Sequence, residues 1–304
     1  MGLDRHGVNF LKYVVQKNKG KLGHVATIGR QGIPISTAVM KRLLDLPSDY
    51  RNAEYCEELL CKYLGAESVE SFDLSDYEGA THIFDFNQKM TATKKYDSVI
   101  ELGTIEHVFD VAQAFRNISE LCKVGGRVVH VSPANNACGD GFWQISPEVC
   151  FSLYSEKNGW HDTEVFIADL NDNNHWYRVK MPENGGRASI CSSVPLYLMC
   201  YTTKGKVPEY QEVQQSDYVH AWSMNKSVLP DVPPTDKGKG LKRKIKDYLK
   251  KRVYVDGCVV TEFLFYNIYE RLRIFSLYGF LRPNNLSRNK NLIKLKIRNL
   301  LGVC

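Results

Sequence analysis

The stretch that most restricts what this chain can fold into is residues 96–131, which reads as strand, helix, strand. YDSVIEL (96–102) is a buried strand in its pattern. After it, Val111, Ala114, Phe115, Ile118, Leu121 and Cys122 recur at helical spacing over 111–122. Lys123-Val124-Gly125-Gly126 then closes that helix, because glycine supplies a left-handed turn. Residues 127–131 form the next strand. A strand, an amphipathic helix and a further strand in succession point to an α/β sheet flanked by helices.

The alternation extends over the first two-thirds of the chain. Residues 24–28 are a short apolar run before glycine, and 68–72 and 81–84 read as short strands. Residues 36–46 and 52–64 look helical, with Leu59, Leu60 and Tyr63 on one face. Later strands are expected over 163–168 and 196–203. Near Leu229 the character changes, since LPDVPPTDKGKG (229–240) cannot carry regular structure and reads as a linker. Beyond it, LKRKIKDYLKKR (241–252) and LIKLKIRNLL (292–301) have the pattern of basic amphipathic helices. The expected organisation is an α/β domain over 1–228, a linker over 229–240 and a basic helical extension over 241–304. No internal repeat is visible.

Composition narrows the class of function. A chain of 304 residues with 24% charged residues and 11% aromatics is that of a soluble globular protein. Its nine cysteines include no Cys-x-x-Cys pair. Cys56 and Cys61 lack a second pair or a nearby histidine to complete a zinc set, so they read as apolar filler. MGLDRHGVNF has no apolar core of a signal peptide, and a cytoplasmic protein with reduced thiols is expected. The most apolar stretch, 259–281, is interrupted by Glu262, Glu270, Arg271 and Arg273, which argues against a membrane span. From Asp236 onward there are 17 basic and 5 acidic residues, against 23 and 29 in the remainder. An acidic body with a basic tail implies that the tail meets something anionic. Such helices suit an anionic membrane surface, RNA phosphate, or packing on their own domain.

The segment YDSVIELGTIEHVFDVAQAFRNISELCKVGGRVVHVSP resembles the fourth strand, following helix and fifth strand of class I S-adenosylmethionine-dependent methyltransferases. The family's "FDxV" strand, "hEH" turn and "LLKPGGxxh" element correspond to Tyr96-Asp97-Ser98-Val99, Ile105-Glu106-His107 and residues 121–127. SFDLSDYEGATHIFDFNQ and GDGFWQISPEVCFSLYSEKNGW resemble stretches of one bacterial branch, whose members often look like the methyltransferases of surface-polysaccharide gene clusters. The resemblance spans residues 21–203. It implies a Rossmann-like methyltransferase sheet, S-adenosylmethionine as cofactor, and O-methylation of a sugar, glycan or small-molecule hydroxyl. It also favours a membrane over nucleic acid as the surface met by the tail, at the inner face of the membrane.

The same resemblance assigns residues. Gly29, Arg30 and Gln31 would form the first cofactor loop. That loop departs from the family's acidic-x-Gly-x-Gly-x-Gly, so side-chain bonds from Arg30 and Gln31 would replace missing glycine contacts. Asp73, with Ser75 after it, would hold the ribose hydroxyls. Asp85, Phe86 and Asn87 would meet the adenine, and Glu101, Leu102 and Gly103 would line the cofactor where the fourth strand ends. His107 or Asp140 would deprotonate the acceptor, since histidine takes a proton near neutral pH. Glu106, Phe142, Trp143 and Gln144 would contact the acceptor. Relatives that bind a divalent metal carry Glu-x-x-Glu-His, but Gly103 replaces the first glutamate, so no metal is expected. His130, inside a strand, reads as a core residue. The altered first loop leaves open a rival, a methyltransferase-like module that binds or scaffolds without catalysis. A nucleic-acid methyltransferase ranks last, since there is no Asn-Pro-Pro-Tyr-type motif.

Overall fold

The computed structural model describes residues 2–183, 185–190, 192, 194–207, 213–224, 286, 289 and 291–302. In chain order these form α1 (Arg5–Lys17), β1 (Gly23–Ile28), α2 (Thr37–Leu44), α3 (Glu57–Tyr63), β2 (Ala66–Asp73), β3 (His82–Ile83) and β4 (Tyr96–Leu102). A short 3-10 turn, Ile105–His107, leads to α4 (Val111–Leu121), β5 (Cys122–Pro133), α5 (Pro147–Leu153), β6 (Trp160–Asp169), β7 (His175–Val179) and β8 (Leu196–Lys204). Then come α6 (Ser216–Met224), β9 (Leu292–Lys296) and α7 (Ile297–Leu300).

The nine strands make one sheet in the order β3-β2-β1-β4-β5-β8-β6-β7-β9. Strands β3 to β5 in that order pair parallel, whereas β8, β6, β7 and β9 join antiparallel. Both faces are covered, which is why YDSVIEL is buried without alternation, Asp97 aside. Val99 and Val128 pack with Phe115 and Ile118 of α4 on one face. Ile100, Leu102, Val129 and Val131 pack with Val8, Phe10, Leu11 and Val14 of α1 and Leu59 and Leu60 of α3 on the other. Each such side chain, fully buried, contributes about 1.5–3 kcal/mol.

Two ends of the sheet differ from the sequence reading. Residues 292–296 are not helical: they form edge strand β9, paired antiparallel with β7 from Val179↔Leu292 to His175↔Lys296. Lys294 and Lys296 stay exposed, and charged side chains on an outer strand discourage pairing with other chains. Helix α4 ends because Cys122 is already extended; Gly125, with φ of 82°, turns the chain later, within β5. The buried Lys204 ammonium donates to the Ser119 and Cys122 carbonyls at 2.6 and 2.8 Å, satisfying groups the helix end leaves bare. Helix α3 starts at Glu57, five residues later than expected from the 52–64 pattern. The chain divides into one unit of Met1–Val219 with Asn285–Cys304 and a second of His220–Asn284. The sheet domain therefore does not stop at residue 228, and the extension expected over 241–304 splits between the two. The linker 229–240 and the basic helix 241–252 lie outside the described residues.

Candidate functional site

Along the sheet, β1 lies between β2 and β4, so the strand order runs outward in opposite directions from the β1/β4 pair. In an open parallel sheet, ligands sit at the carboxyl ends of the strands at such a switch point. The ends of β1 to β5 and the loops leaving them carry the cofactor and acceptor residues singled out above.

Gly29 leaves β1 with φ of 76°, a region that disfavours side chains. Its N–H donates to the Phe72 carbonyl of β2 at 2.7 Å. A Cβ on Gly29 would lie 2.4 Å from the Thr104 Oγ1 of the β4 loop. The Thr104 hydroxyl donates to the Ile28 carbonyl at 2.8 Å, so the β1 and β4 loops interlock. The Arg30 N–H donates to Asp73 Oδ2 at 3.2 Å and the Leu74 N–H donates to Oδ1 at 2.7 Å. Gly29, Asp73 and Gly103 thus lie on one continuous rim. Asp85 follows from the β2/β3 pair, in which Asp73 sits opposite Ile83. Its Oδ1 accepts from the Asn87 N–H and amide at 2.9 and 2.7 Å, bonds that hold its carboxyl below the usual range. Asn87 Oδ1 in turn accepts from the Asp110 N–H at 2.9 Å. Ser75 is exposed beyond Asp73, and its hydroxyl takes a long bond of 3.5 Å from the Tyr77 N–H.

Several residues expected to touch the cofactor by their side chains are occupied elsewhere. Gln31 is buried and donates to the Ile28 carbonyl at 2.6 Å, filling the turn from inside. Arg30 donates to Glu57 at 2.8 Å and to the Glu78 carbonyl, with its guanidinium 4.1 Å from the Tyr55 ring centre. Neither supplies the outward bonds the glycine-poor loop seemed to require. Phe86 is buried in the core, edge-on to Phe84 at 5.3 Å, and is not the ring cover expected. Leu102 is core as well.

Glu101 is fully buried and works inward. Its Oε1 accepts from the Gly103 and Thr104 N–H groups at 2.7 Å each, and its Oε2 lies 3.1 Å from His130 Nδ1 and accepts from Ser132 at 3.1 Å. His130 Nε2 lies 2.6 Å from the Tyr154 hydroxyl. This carboxylate therefore sets the backbone of the β4 loop, and His130 is its buried support. Thr104 was missed by sequence reasoning; no signal in the sequence marks it, because its part depends on β1 and β4 being neighbours.

The residues expected to meet the acceptor gather around Glu106. Its backbone carbonyl accepts from the Phe142 and Trp143 N–H groups at 2.7 and 3.3 Å. Gly141, with φ of 80°, lies so close that a Cβ there would be 2.6 Å from the Glu106 carbonyl oxygen. The Glu106 side chain has no exposed surface, and neither carboxylate oxygen has a hydrogen-bond partner among the described residues. Burial first, then the nearby Glu101 and Asp140, push its carboxyl up to about 9. His107, about half exposed, brings Nε2 to 4.0 Å from Glu106 Oε1. Glu106, His107 and Asp140 place one ligand atom each within 4.8 Å of one another, a spacing that could hold a metal ion. Phe142, Trp143 and Phe109 are exposed together: Phe109 meets Phe142 edge-on at 5.9 Å and Trp143 at 6.4 Å. The Trp143 indole donates to the Val108 carbonyl at 3.0 Å. Among the described residues, Gln144 Oε1 accepts from the Cys138 thiol at 3.4 Å.

No family model matches the chain, and no curated protein does. Solved structures similar to it include the N-methyltransferase NodS from Bradyrhizobium japonicum WM9, 13% identical over 66% of this chain and 96% of that one, with a TM-score of 0.36. A putative methyltransferase from Bacillus halodurans C-125 is 11% identical over 64% and 98%, with a TM-score of 0.36. Magnesium protoporphyrin IX methyltransferase from Synechocystis PCC 6803, with bound SAM, is 15% identical over 66% and 79%, with a TM-score of 0.33. The likeness is remote, and what the site can do is read from its own residues.

Proposed function

We propose that this protein is an S-adenosylmethionine-dependent methyltransferase acting on a sugar, a glycan or another small polar acceptor. The observation that carries the reading is the rim at the switch point, where Gly29, Asp73 and the Gly103-Thr104 loop are joined by hydrogen bonds and contacts. When bound, the cofactor supplies an electrophilic methyl group on a sulfonium. Asp73 would accept from the ribose hydroxyls, since its two oxygens have one protein donor each and further lone pairs remain. Asp85, at the next strand end, would face the adenine. Glu101 keeps Gly103 and Thr104 in place, and the acceptor would enter beside Glu106, His107 and the three aromatics. Fixing two reactants in one geometry supplies much of the rate in such a transfer.

Isothermal titration with S-adenosylmethionine tests this. Micromolar binding is expected, weakened at least tenfold by Asp73→Ala. The absence of heat at high protein concentration would instead favour the non-catalytic module. One observation favours that rival: Gln31 and Arg30 spend their side chains inside the protein, so the first loop offers a ligand only its backbone. For the tail, contact with an anionic membrane is supported by its excess of basic residues. Changing Lys242, Lys244, Lys246, Lys250 and Lys251 to Gln should abolish co-sedimentation with phosphatidylserine vesicles; unchanged sedimentation would refute the contact.

A further inference from the structure

Two buried titratable side chains have no part in the cofactor rim or the acceptor corner: His130 of β5 and Tyr154, which follows α5. Polar groups shut away from water need partners, and these two form a single relay that ends on Glu101. The parallel pairing of β4 and β5 sets His130 beside Glu101, and Ser132, two residues on, shares its face. Glu101 accepts from every side. Its Oε1 takes the Gly103 and Thr104 N–H groups and its Oε2 the Ser132 hydroxyl, so His130 offers it the Nδ1 proton. Nε2 is then the accepting nitrogen, 2.6 Å from the Tyr154 hydroxyl. Packing fixes the same rings. Tyr154 stacks on His130 with centres 5.6 Å apart and meets Trp160 of β6 edge-on at 4.7 Å, while Phe115 of α4 closes on the imidazole at 5.2 Å. Among the described residues, the one ionisable partner of Glu101 is His130. Its charge is therefore held by a few hydrogen bonds, each strong because the acceptor is ionised.

We infer that His130 and Tyr154 are positioning residues for the Gly103-Thr104 turn on which the cofactor would rest, acting through Glu101. This rests on the cofactor reading above and adds to it two residues that touch no ligand. Glu101 serves the two N–H groups of the turn only while Oε1 faces them, and the imidazole and the Ser132 hydroxyl keep it there by holding Oε2. A carboxylate that loses the imidazole is free to rotate, and it draws the turn with it. Gly103, with φ of 86°, and Thr104, whose hydroxyl reaches the Ile28 carbonyl, pass that movement to the β1 loop. Tyr154 holds the imidazole in turn, by its hydroxyl and by its ring. It stands just after α5, the helix that begins three residues beyond Gln144, so the relay ties the cofactor turn to the element behind the acceptor loop.

The test reads the native state, where a mere loss of stability does not register. In 1H–15N spectra of the full chain, well below its unfolding temperature, the Gly103 and Thr104 amide signals should lie downfield because they bond to a carboxylate. They should move upfield in His130→Leu and, by less, in Tyr154→Phe, while the amides of α1 stay in place. His130→Asn, whose side-chain amide reaches the position of Nδ1, should restore them. Titration with S-adenosylmethionine should follow the same order, weakened about tenfold in His130→Leu, about threefold in Tyr154→Phe and less than about twofold in His130→Asn. Unmoved Gly103 and Thr104 signals would overturn the inference, as would an affinity that does not follow them, or His130→Asn behaving like His130→Leu. Where His130→Leu does not fold, Tyr154→Phe, which loses one oxygen and keeps its ring, decides by the same two readouts. A wild-type chain that binds no S-adenosylmethionine while these amides move as expected removes the cofactor reading and leaves the hold on the turn standing; binding with unmoved amides does the reverse.

Discussion

At the scale of single residues, the site is a set of backbone positions fixed by buried side chains. Gly29 is the tightest. A methyl group there meets both an unfavourable φ and the Thr104 hydroxyl at 2.4 Å. Gly29→Ala should therefore lower stability by about 1–3 kcal/mol and weaken cofactor binding; denaturant unfolding and titration measure the two effects. Glu106 makes a prediction of opposite character. Its carboxyl is raised from the ordinary range to about 9, so the folded state holds a proton that the unfolded chain has released above about pH 4.3. Its contribution to stability is whole below that pH and is lost as pH rises toward 9. Glu106→Gln removes the titration, so its melting temperature should gain on that of the wild type steadily from pH 5 to 9. A constant difference would contradict the buried, unpartnered state. Sequence reasoning selected Glu106 as an acceptor contact and His107 or Asp140 as a base from the family resemblance alone. Burial and partnering are properties of the fold, so it could not see that Glu101, Gln31 and Phe86 face inward.

At the scale of elements, legibility followed pattern. YDSVIEL was read to the residue: its apolar Tyr96, Val99, Ile100 and Leu102 lie within seven residues bounded by Lys95 and Gly103, short enough for a buried strand. Helix α1 went unread. Its apolar set, Val8, Phe10, Leu11 and Val14, does recur at three- and four-residue helical spacing, but the helix also buries polar His6 and Asn9. The fold explains both exceptions in part: desolvation keeps His6 neutral, so its Nδ1 can accept from the Trp176 indole at 3.0 Å. LIKLK of β9 satisfied a helical pattern as well as an alternating one, and the bare edge of β7 decided between them. On the opposite flank, Glu70 of β2 takes bonds from His82 of β3 at 2.7 Å, from Tyr96 of β4 at 2.6 Å, and from Lys94. Burial pushes its carboxyl up, but these three donors prevail and bring it down to about 2. The stability it provides is present above about pH 4.3 and lost as pH falls through 2. Glu70→Gln should cost about 1–3 kcal/mol at neutral pH, and its acid-unfolding curve should be flatter than the wild type's between pH 4.5 and 2.

At the scale of the molecule, the sheet domain is assembled from two separate parts of the chain, with His220–Asn284 between them in sequence. No helix among the described residues is long and apolar enough to cross a membrane. Residues 292–302 do more than decorate the edge. Ile297 and Leu301 are buried against the α1 face of the core, and the Gln16 amide donates to the Leu301 carbonyl at 2.9 Å. Ending the chain at residue 291 should cost about 3–6 kcal/mol from those two side chains alone. It should also expose β7 as an edge, so aggregation on heating is expected together with a lower melting temperature; a truncated chain as stable and as soluble as the full one would contradict the pairing. The α/β sheet was legible because strand–helix alternation implies one, and its Rossmann-like half was implied by the resemblance. The last strand was not, because sequence distance hides which edge a short segment will reach.

Placing β9 after the intervening unit has a consequence for how the protein comes into being. A ribosome will have exposed every other described strand, and all of the segment between, before it delivers the one that covers β7. Through that interval the nascent chain carries an open flank, a natural landing place for a chaperone. Synthesis arrested just short of residue 292 should yield a body that engages holding factors and resists release, whereas a few more codons should set it free.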